Sequence, residues 1–289
     1  MRETTIRRVE WYFGPSGELT EEDLGVYERQ GGWVLEPKYD GMWCALLVGE
    51  NEHVLTSRDA RTGPISGSNR GDLHLQPLPG LAGTVLIGEL EAATQASKEI
   101  VEARGFRCLR VFDIAKLNSV DLRDKPWSFR RALLEELAPS LSDRFLLTPY
   151  YERGFVDFYR RFLEDENGEG VVIKKTTSTL RSKRSDGKTS DWLRCKRWFT
   201  RDYVLAGISK TAGGKYSAPK KTGVWGFYRN GTLVPIIQAG CDASLLTEEN
   251  VGKLVAEFRG AAVFDSGALR HAQFVRVRHD KTPDLCTSI

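Results

Sequence analysis

Cysteine, histidine and methionine are scarce in this chain of 289 residues, which holds five, four and two of them. The cysteines, at 44, 108, 195, 241 and 286, are odd in number and include no CxxC pair. That argues against a disulfide framework and a structural zinc, and for a reducing, intracellular compartment. The histidines show no metal-ligand spacing. Long apolar runs are missing too: Cys44–Val48 and Thr84–Gly88 are typical, far below the roughly 20 residues a membrane-spanning helix needs. The N-terminal MRETTIRRVEWYFG has no apolar centre of the kind a secretory signal requires. Nor does one sign of charge dominate, since 42 basic against 39 acidic residues leave +3. A chain 40% hydrophobic and 28% charged is globular rather than disordered or low in complexity, and its length admits one large domain or two modest ones.

The near-neutral total conceals a local imbalance. Residues 1–173 carry 21 basic and 29 acidic side chains, residues 174–201 carry 10 and 2, and residues 202–289 carry 11 and 8. The middle block, KKTTSTLRSKRSDGKTSDWLRCKRWFTR, is therefore a dense cationic strip with Trp192, Trp198 and Phe199 among its charges. A solvated loop accounts for such a strip, and so does a surface that binds phosphates and releases their counterions.

Periodicity outlines the elements. WVLEPKYDGMWCALLVG (33–49) reads as two strands broken by a turn at Asp40-Gly41, and VLTSR (54–58), TVLIGELEA (84–92) and LRVFDI (109–114) as further strands. Ser128 is placed to cap a helix over FRRALLEELA, with Phe129, Leu133, Leu134 and Leu137 on one face. FVDFYRRFLED (155–165) has Phe155, Phe158, Tyr159 and Phe162 at helical spacing, a core stripe rather than a cofactor box. NGEGVVIKK (167–175) is a turn and a β-branched strand. After Thr200 come YVLAGISK, GVWGFY, TLVPIIQ and FVRVRH, interrupted by one expected helix, TEENVGKLVAEFRG, capped by Thr247. Four or five strands and one helix in this length suit a small barrel of the OB type. The expected class is α+β, with a domain over 1–199 followed by an OB-fold barrel over 200–289.

The residues able to do chemistry are spread along the chain. Lys38, in KYDG, lies beside a tight turn, and a free ammonium with a pKa near 10.4 becomes a nucleophile only where cations or burial free its lone pair. Glu89 and Glu169 stand at strand edges, and two such carboxylates suit Mg²⁺ beside a phosphate, although each alone is equally a solvated acid. Arg58, Lys174 and Lys196 are cations at the ends of strand-like segments.

The ordered series KYDG (38–41), SR (57–58), GELE (88–91), FDI (112–114), EGVVIK (169–174) and WLRCK (192–196) resembles the nucleotidyltransferase motifs of ATP-dependent DNA ligases. LRHAQFVRVRHDK (269–281) resembles the last motif of that superfamily. The resemblance implies a nucleotidyltransferase domain of ATP-grasp-like antiparallel sheets with helices, then the OB domain, in a minimal ligase. It implies ATP as cofactor and AMP carried covalently on Lys38, with Mg²⁺ or Mn²⁺ as metal. The partner it implies is nicked duplex DNA, sealed by a monomer. By that resemblance Arg58 contacts the ribose or the 5′-phosphate of the nick, and Glu89 a ribose hydroxyl or the metal. Phe112 stacks on adenine, Glu169 holds the metal, and Lys174 and Lys196 neutralise the α-phosphate. Glu36 joins the nucleotide-binding set. Arg278, Asp280 and Lys281 form the RxDK group that orients pyrophosphate, and the region near Thr200 would be a hinge.

The sequence departs from the family pattern at Trp43, where an arginine is usual, at Arg194, the first of the KxK pair, and at Gln273, also usually arginine. Candidate contacts to the DNA backbone are Arg58, Arg181, Lys183, Arg184, Lys188, Arg194, Lys210, Lys215, Lys220 and Lys221. No base-reading element is evident, so binding is expected to be independent of sequence and strongly dependent on salt. The rival readings are an RNA ligase, an mRNA-capping guanylyltransferase, and a non-catalytic module that binds nicks.

Overall fold

The computed structural model describes residues 13–50, 53–57, 78, 80–91, 108–141, 143–165, 168–181, 188–211 and 220–287. Two compact units divide between Lys196 and Arg197, just ahead of the break expected after residue 199. Arg58, Lys183, Arg184 and Lys215 lie outside the described residues.

The first unit is built on two sheets. One joins β1 (Gly14–Glu18), β10 (Lys188–Lys196), β9 (Gly170–Lys175) and β2 (Trp33–Lys38) in that order. The other orders β4 (His53–Ser57), β3 (Gly41–Val48), β5 (Val85–Glu91), β6 (Leu109–Leu117) and β7 (Val120–Asp121), with β8 (Phe145–Leu147) parallel to β6. The outer face of the first sheet is covered by α1 (Glu21–Gln30) and α3 (Phe155–Asp165). Phe155, Phe158, Tyr159 and Phe162 of α3 are buried there against Leu35, Val171 and Ile173. Helix α2 (Trp127–Leu137) covers the second sheet through Leu134. Between the sheets lies an apolar layer of Phe13, Ala45, Ile87, Leu180 and Trp192, with Trp43 and Phe112 at its margin.

Local chemistry explains the helix ends. Thr20 and Asp23 close a capping box on α1, satisfying two of its orphan N–H groups. Glu28, at the far end of α1, accepts from the N–H groups of Gly154 and Phe155 at 2.7 and 3.0 Å and so caps α3. The expected Ser128 cap is not used. Helix α2 begins at Trp127 after Pro126, and the N–H groups of Trp127 and Ser128 donate to the carbonyls of Ser178 and Thr176. Phe129, expected on the apolar face, is 46% exposed.

The segment 33–49 is also corrected: its two strands do not pair with each other. β2 belongs to one sheet and β3 to the other, so Asp40 is the crossing point between them. Gly41 enters the second sheet where a Cβ would stand 2.4 Å from the carbonyl oxygen of Leu90, and only glycine allows that approach.

The second unit is an antiparallel five-stranded sheet. Its order is β13 (Thr232–Ala239), β12 (Lys220–Arg229), β11 (Phe199–Thr211), β14 (Val255–Gly260) and β15 (Gln273–Val277). Tyr203, Leu205, Trp225, Phe227 and Phe258 fill its core. Bulges at Leu205/Gly207, Trp225/Gly226 and Glu257/Phe258 bend the strands. Among the described residues β13 and β15 remain edges, and no pairing closes the sheet into the expected barrel. The expected helix over 247–260 is not formed either. Glu248–Asn250 makes one 3₁₀ turn, Gly252 takes a left-handed φ of 76°, and Val255–Gly260 is strand. Sheet packing of Val255, Ala256 and Phe258 outweighs the helical pattern of the surrounding charges.

Candidate active site

Pairing register assembles the cleft. Lys38 and Lys196 stand opposite Gly170 from its two sides, Glu36 and Arg194 opposite Val172, and Val34 and Trp192 opposite Lys174. Because side chains alternate along a strand, Glu36, Lys38, Lys174, Trp192, Arg194 and Lys196 share the inner face of one sheet. Phe112, Trp43 and Glu89 come from the other sheet, and together they line a cleft of about 520 Å³ within the first unit.

Gly170 holds the row together. Its φ is 145°, and a Cβ would lie 2.1 Å from the carbonyl oxygen of Cys195. The residue before it, Glu169, points a carboxylate between the two lysines. Lys38 Nζ donates to its Oε2, and Lys196 Nζ to its Oε1 at 2.5 Å. Burial alone would raise the Glu169 pKa, but the charges and hydrogen bonds of Lys38 and Lys196 outweigh it and hold the carboxyl below its ordinary value. Glu89 is on the same side of the cleft and meets the opposite fate. Burial pushes it up to about 7, Lys38 pulling against this and the Glu169 and Asp40 carboxylates adding to it.

Deeper in the cleft, Lys174 Nζ lies 2.6 Å from Glu36 Oε2, both side chains almost wholly buried. Burial drives Glu36 up and Lys174 down, against the mutual attraction of the pair. Lys174 also sits 4.1 Å from the ring centre of Trp192 and 4.6 Å from that of Phe112, and donates to the Phe112 carbonyl at 3.3 Å. Phe112 is fixed by its neighbour. Asp113 accepts from Arg130 Nε at 2.7 Å and Nη2 at 2.8 Å, a fully buried pair that ties β6 to α2. Trp192 is fixed by donating its indole N–H to Ser178 at 3.1 Å.

Among the described residues, three buried polar atoms on side chains lining the cleft have no hydrogen-bond partner: Glu36 Oε1, Thr148 Oγ1 and Arg194 Nε. Buried polar groups are rarely left unmet, so donors and an acceptor clustered at one cavity mark a place for a polar, flat-faced guest.

The first unit thus brings together Glu36, Lys38, Glu89, Phe112, Glu169, Lys174 and Lys196. Arg194, expected on DNA, lines the cleft instead, with Glu18 3.5 Å from its guanidinium. Thr148 was not legible in the sequence, since a threonine after the short strand Phe145–Leu147 carries no motif. Arg278, Asp280 and Lys281 lie in the second unit, where Asp202 accepts from Arg278 at 3.0 Å and from Lys281 at 2.8 Å, and Asp280 from Arg278 at 2.8 Å. That contact holds Asp280 well below the usual carboxylate range.

The cationic strip is less free than its composition implies. Arg181 is engaged by Asp121 at 3.0 Å and Asp124 at 2.6 Å. Lys188 opens β10 opposite Gly14. Lys210 and Lys221 are exposed and directly opposite each other across β11 and β12, and Lys220 follows opposite Thr211. No group of three or more His, Cys, Asp or Glu able to hold a metal occurs among the described residues, and no described helix is long and apolar enough to cross a membrane.

Comparison with known proteins agrees with this geometry. Residues 84–196 match the family described as ATP dependent DNA ligase domain. The multifunctional non-homologous end joining protein LigD of Mycolicibacterium smegmatis is 26% identical over 306 residues, covering 92% of this chain and 38% of that protein. The chain therefore spans well under half the length of this relative. Among solved structures, a Lig E DNA ligase superposes with a TM-score of 0.59 at 14% identity, over 92% of this chain and 100% of the other. Mycobacterial DNA ligase D, solved with ATP and MES, gives 0.50 at 20%, over 88% and 92%. At those identities the superpositions speak for the fold, which is mixed α+β and rich in sheet. The matched stretch 84–196 contains Glu89, Phe112, Glu169, Lys174 and Lys196, five of the residues the geometry gathers at the cleft.

Proposed function

We propose that this protein seals 5′-phosphate/3′-hydroxyl nicks in duplex DNA through a lysyl-AMP intermediate. The observation that carries the reading is Lys38: its side-chain nitrogen stands at a cleft with two further lysines and contacts the Glu169 carboxylate. Attack of the Nζ lone pair on the α-phosphorus of ATP forms a P–N bond and breaks the P–O bond to pyrophosphate. The AMP then passes to the 5′-phosphate of the nick, releasing the lysine amine. The 3′-hydroxyl finally attacks that phosphate and releases AMP. Each step builds negative charge on phosphoryl oxygens, so Lys174 and Lys196 act by charge neutralisation and by fixed position.

The unmet atoms Glu36 Oε1, Thr148 Oγ1 and Arg194 Nε support a nucleotide as the guest, with Phe112 as the aromatic surface for its base. Glu89 and Glu169 offer the hard oxygen donors a divalent cation prefers. The rise of the Glu89 pKa to about 7, chiefly by burial, supports this reading, since added positive charge would offset it. Magnesium bound there would neutralise charge on the phosphates. In the second unit we assign Arg278, Asp280 and Lys281 to the pyrophosphate of the first step, and read the bulged five-stranded sheet as an OB-type domain.

DNA contact is assigned to Arg58, Lys188, Lys210, Lys220 and Lys221, with Lys183, Arg184 and Lys215. The facing pair Lys210–Lys221 supports this, because like charges opposite each other destabilise a sheet unless a polyanion lies over them. Arg181 and Arg194 are withdrawn from that set by their partners and position. All five cysteines are free thiols, in keeping with a monomer in a reducing compartment.

The test is covalent labelling with α-labelled ATP or GTP, read on a denaturing gel, for the wild type and Lys38→Ala. Label from ATP, absent in Lys38→Ala, together with sealing of a nicked duplex, is expected. Label from GTP alone indicates a capping enzyme, and label surviving in Lys38→Ala removes the lysine from the chemistry.

A further inference from the structure

The second unit contains a charge arrangement that its own stability does not explain. Asp202, Glu257 and Arg276 form one cross-strand row over β11, β14 and β15. Two carboxylates directly opposite each other on a sheet repel. Both are largely covered, at 13% and 16% exposure, so water screens them poorly. The row is tolerated because cations close over it. Arg276 Nε lies 2.9 Å from Glu257, and Arg278 Nη1 lies 3.0 Å from Asp202 and 3.7 Å from Glu257. Lys281 Nζ lies 2.8 Å from Asp202. With Asp280 the cluster holds three acids and three bases, and its net charge is zero.

Among the described residues, Asp202 alone accepts from both cations of the RxDK group. Its carboxylate takes Arg278 Nη1 on both oxygens, at 3.1 and 3.0 Å, and Lys281 Nζ on Oδ2 at 2.8 Å. Arginine and lysine side chains are long and lose much rotational freedom when ordered. One carboxylate between them fixes their spacing in advance, while Asp280 takes Arg278 Nε and Nη2 at 2.9 and 2.8 Å and orients the guanidinium plane.

We propose that Asp202 is a positioning residue for the first chemical step: it clamps Arg278 and Lys281 into the paired arrangement that receives the pyrophosphate of ATP. This rests on the assignment of Arg278 and Lys281 to pyrophosphate made above. Asp202 itself touches no substrate, and Glu257 supports it from the neighbouring strand, 3.7 Å from the same Arg278 Nη1.

The test separates the steps. Asp202→Asn keeps the shape and removes the charge. Its rate of self-adenylylation with ATP, and of the reverse reaction of the lysyl-AMP enzyme with pyrophosphate, should each fall about tenfold, the worth of one charge-assisted hydrogen bond. Sealing of a nick already carrying 5′-AMP should stay within about twofold. Glu257→Gln, which leaves both Asp202 contacts in place, should show the same selectivity at about threefold and serves if Asp202→Asn folds poorly. Equal loss in all three assays, or no loss in any, overturns the clamp. Arg278→Ala and Lys281→Ala tell the two ideas apart. If they slow self-adenylylation and Asp202→Asn does not, the clamp alone fails. If they too leave that step untouched, the pyrophosphate assignment beneath it fails.

Discussion

Glu89 makes the sharpest prediction because its charge state is set by the fold. A free glutamate titrates near 4.5, and this one is pushed to about 7, chiefly by burial, with Glu169 and Asp40 adding and Lys38 opposing. Below pH 4.5 it is protonated in both the folded and the unfolded chain and contributes nothing to the pH dependence. Between pH 4.5 and about 7 the unfolded chain releases the proton while the folded one keeps it, so stability falls as pH rises. At 1.36 kcal/mol for each pH unit, the interval amounts to about 3 kcal/mol, reached above pH 7 and constant beyond it. Glu89→Gln has no proton to lose. In urea unfolding followed by tryptophan fluorescence, its stability relative to the wild type should therefore improve by about 3 kcal/mol between pH 4.5 and 8. Saturating magnesium should shrink that difference by pairing the wild-type carboxylate. A wild type and variant that track each other in parallel across this range would refute the account of Glu89 as a buried acid.

Two further variants probe the scaffold of the cleft. Lys174→Met leaves the Glu36 carboxyl buried without its partner and should cost about 3–5 kcal/mol in urea unfolding. The double variant Glu36→Leu with Lys174→Met should recover most of that loss, and a neutral single variant would show that the pair is not closed to water. Gly170→Ala forces a side chain against the Cys195 carbonyl at an unfavourable φ, and should cost about 3 kcal/mol or more and abolish covalent labelling. A stable, fully active Gly170→Ala would dismantle the row of residues described above.

Much of the cleft was readable in the sequence because strand alternation is a rigid rule. Once EPK (36–38), VIK (172–174) and RCK (194–196) are strands, their outer residues must share a face, and the chemistry-bearing side chains are the ones that do. The stripe of Phe155, Phe158, Tyr159 and Phe162 was legible for the same reason, with helical spacing in place of alternation. What escaped depended on contacts between distant segments. Asp40-Gly41 looks like any hairpin turn, and only the pairing of β3 with β5 reveals a crossing between sheets. Val255–Gly260 has a helical neighbourhood but serves a sheet, since β11 and β15 flank it on both sides. Ser128 has the right chemistry for a cap and loses the role to the carbonyls of Thr176 and Ser178. Thr148 and Asp202 carry no local signature, because each matters through what the fold places beside it.

The ladder through Gly170 has a practical meaning for anyone redesigning this scaffold. The two lysines that grip Glu169 are spaced by main-chain bonding, two interstrand steps or roughly 9.5 Å between their α-carbons, and not by neighbouring side chains. Residues on the helix-covered side can consequently be exchanged wholesale, provided volume and pattern survive, while Lys38 keeps its coordinates. An engineer seeking a tougher or more soluble version should spend substitutions on that outer layer and leave the central glycine alone.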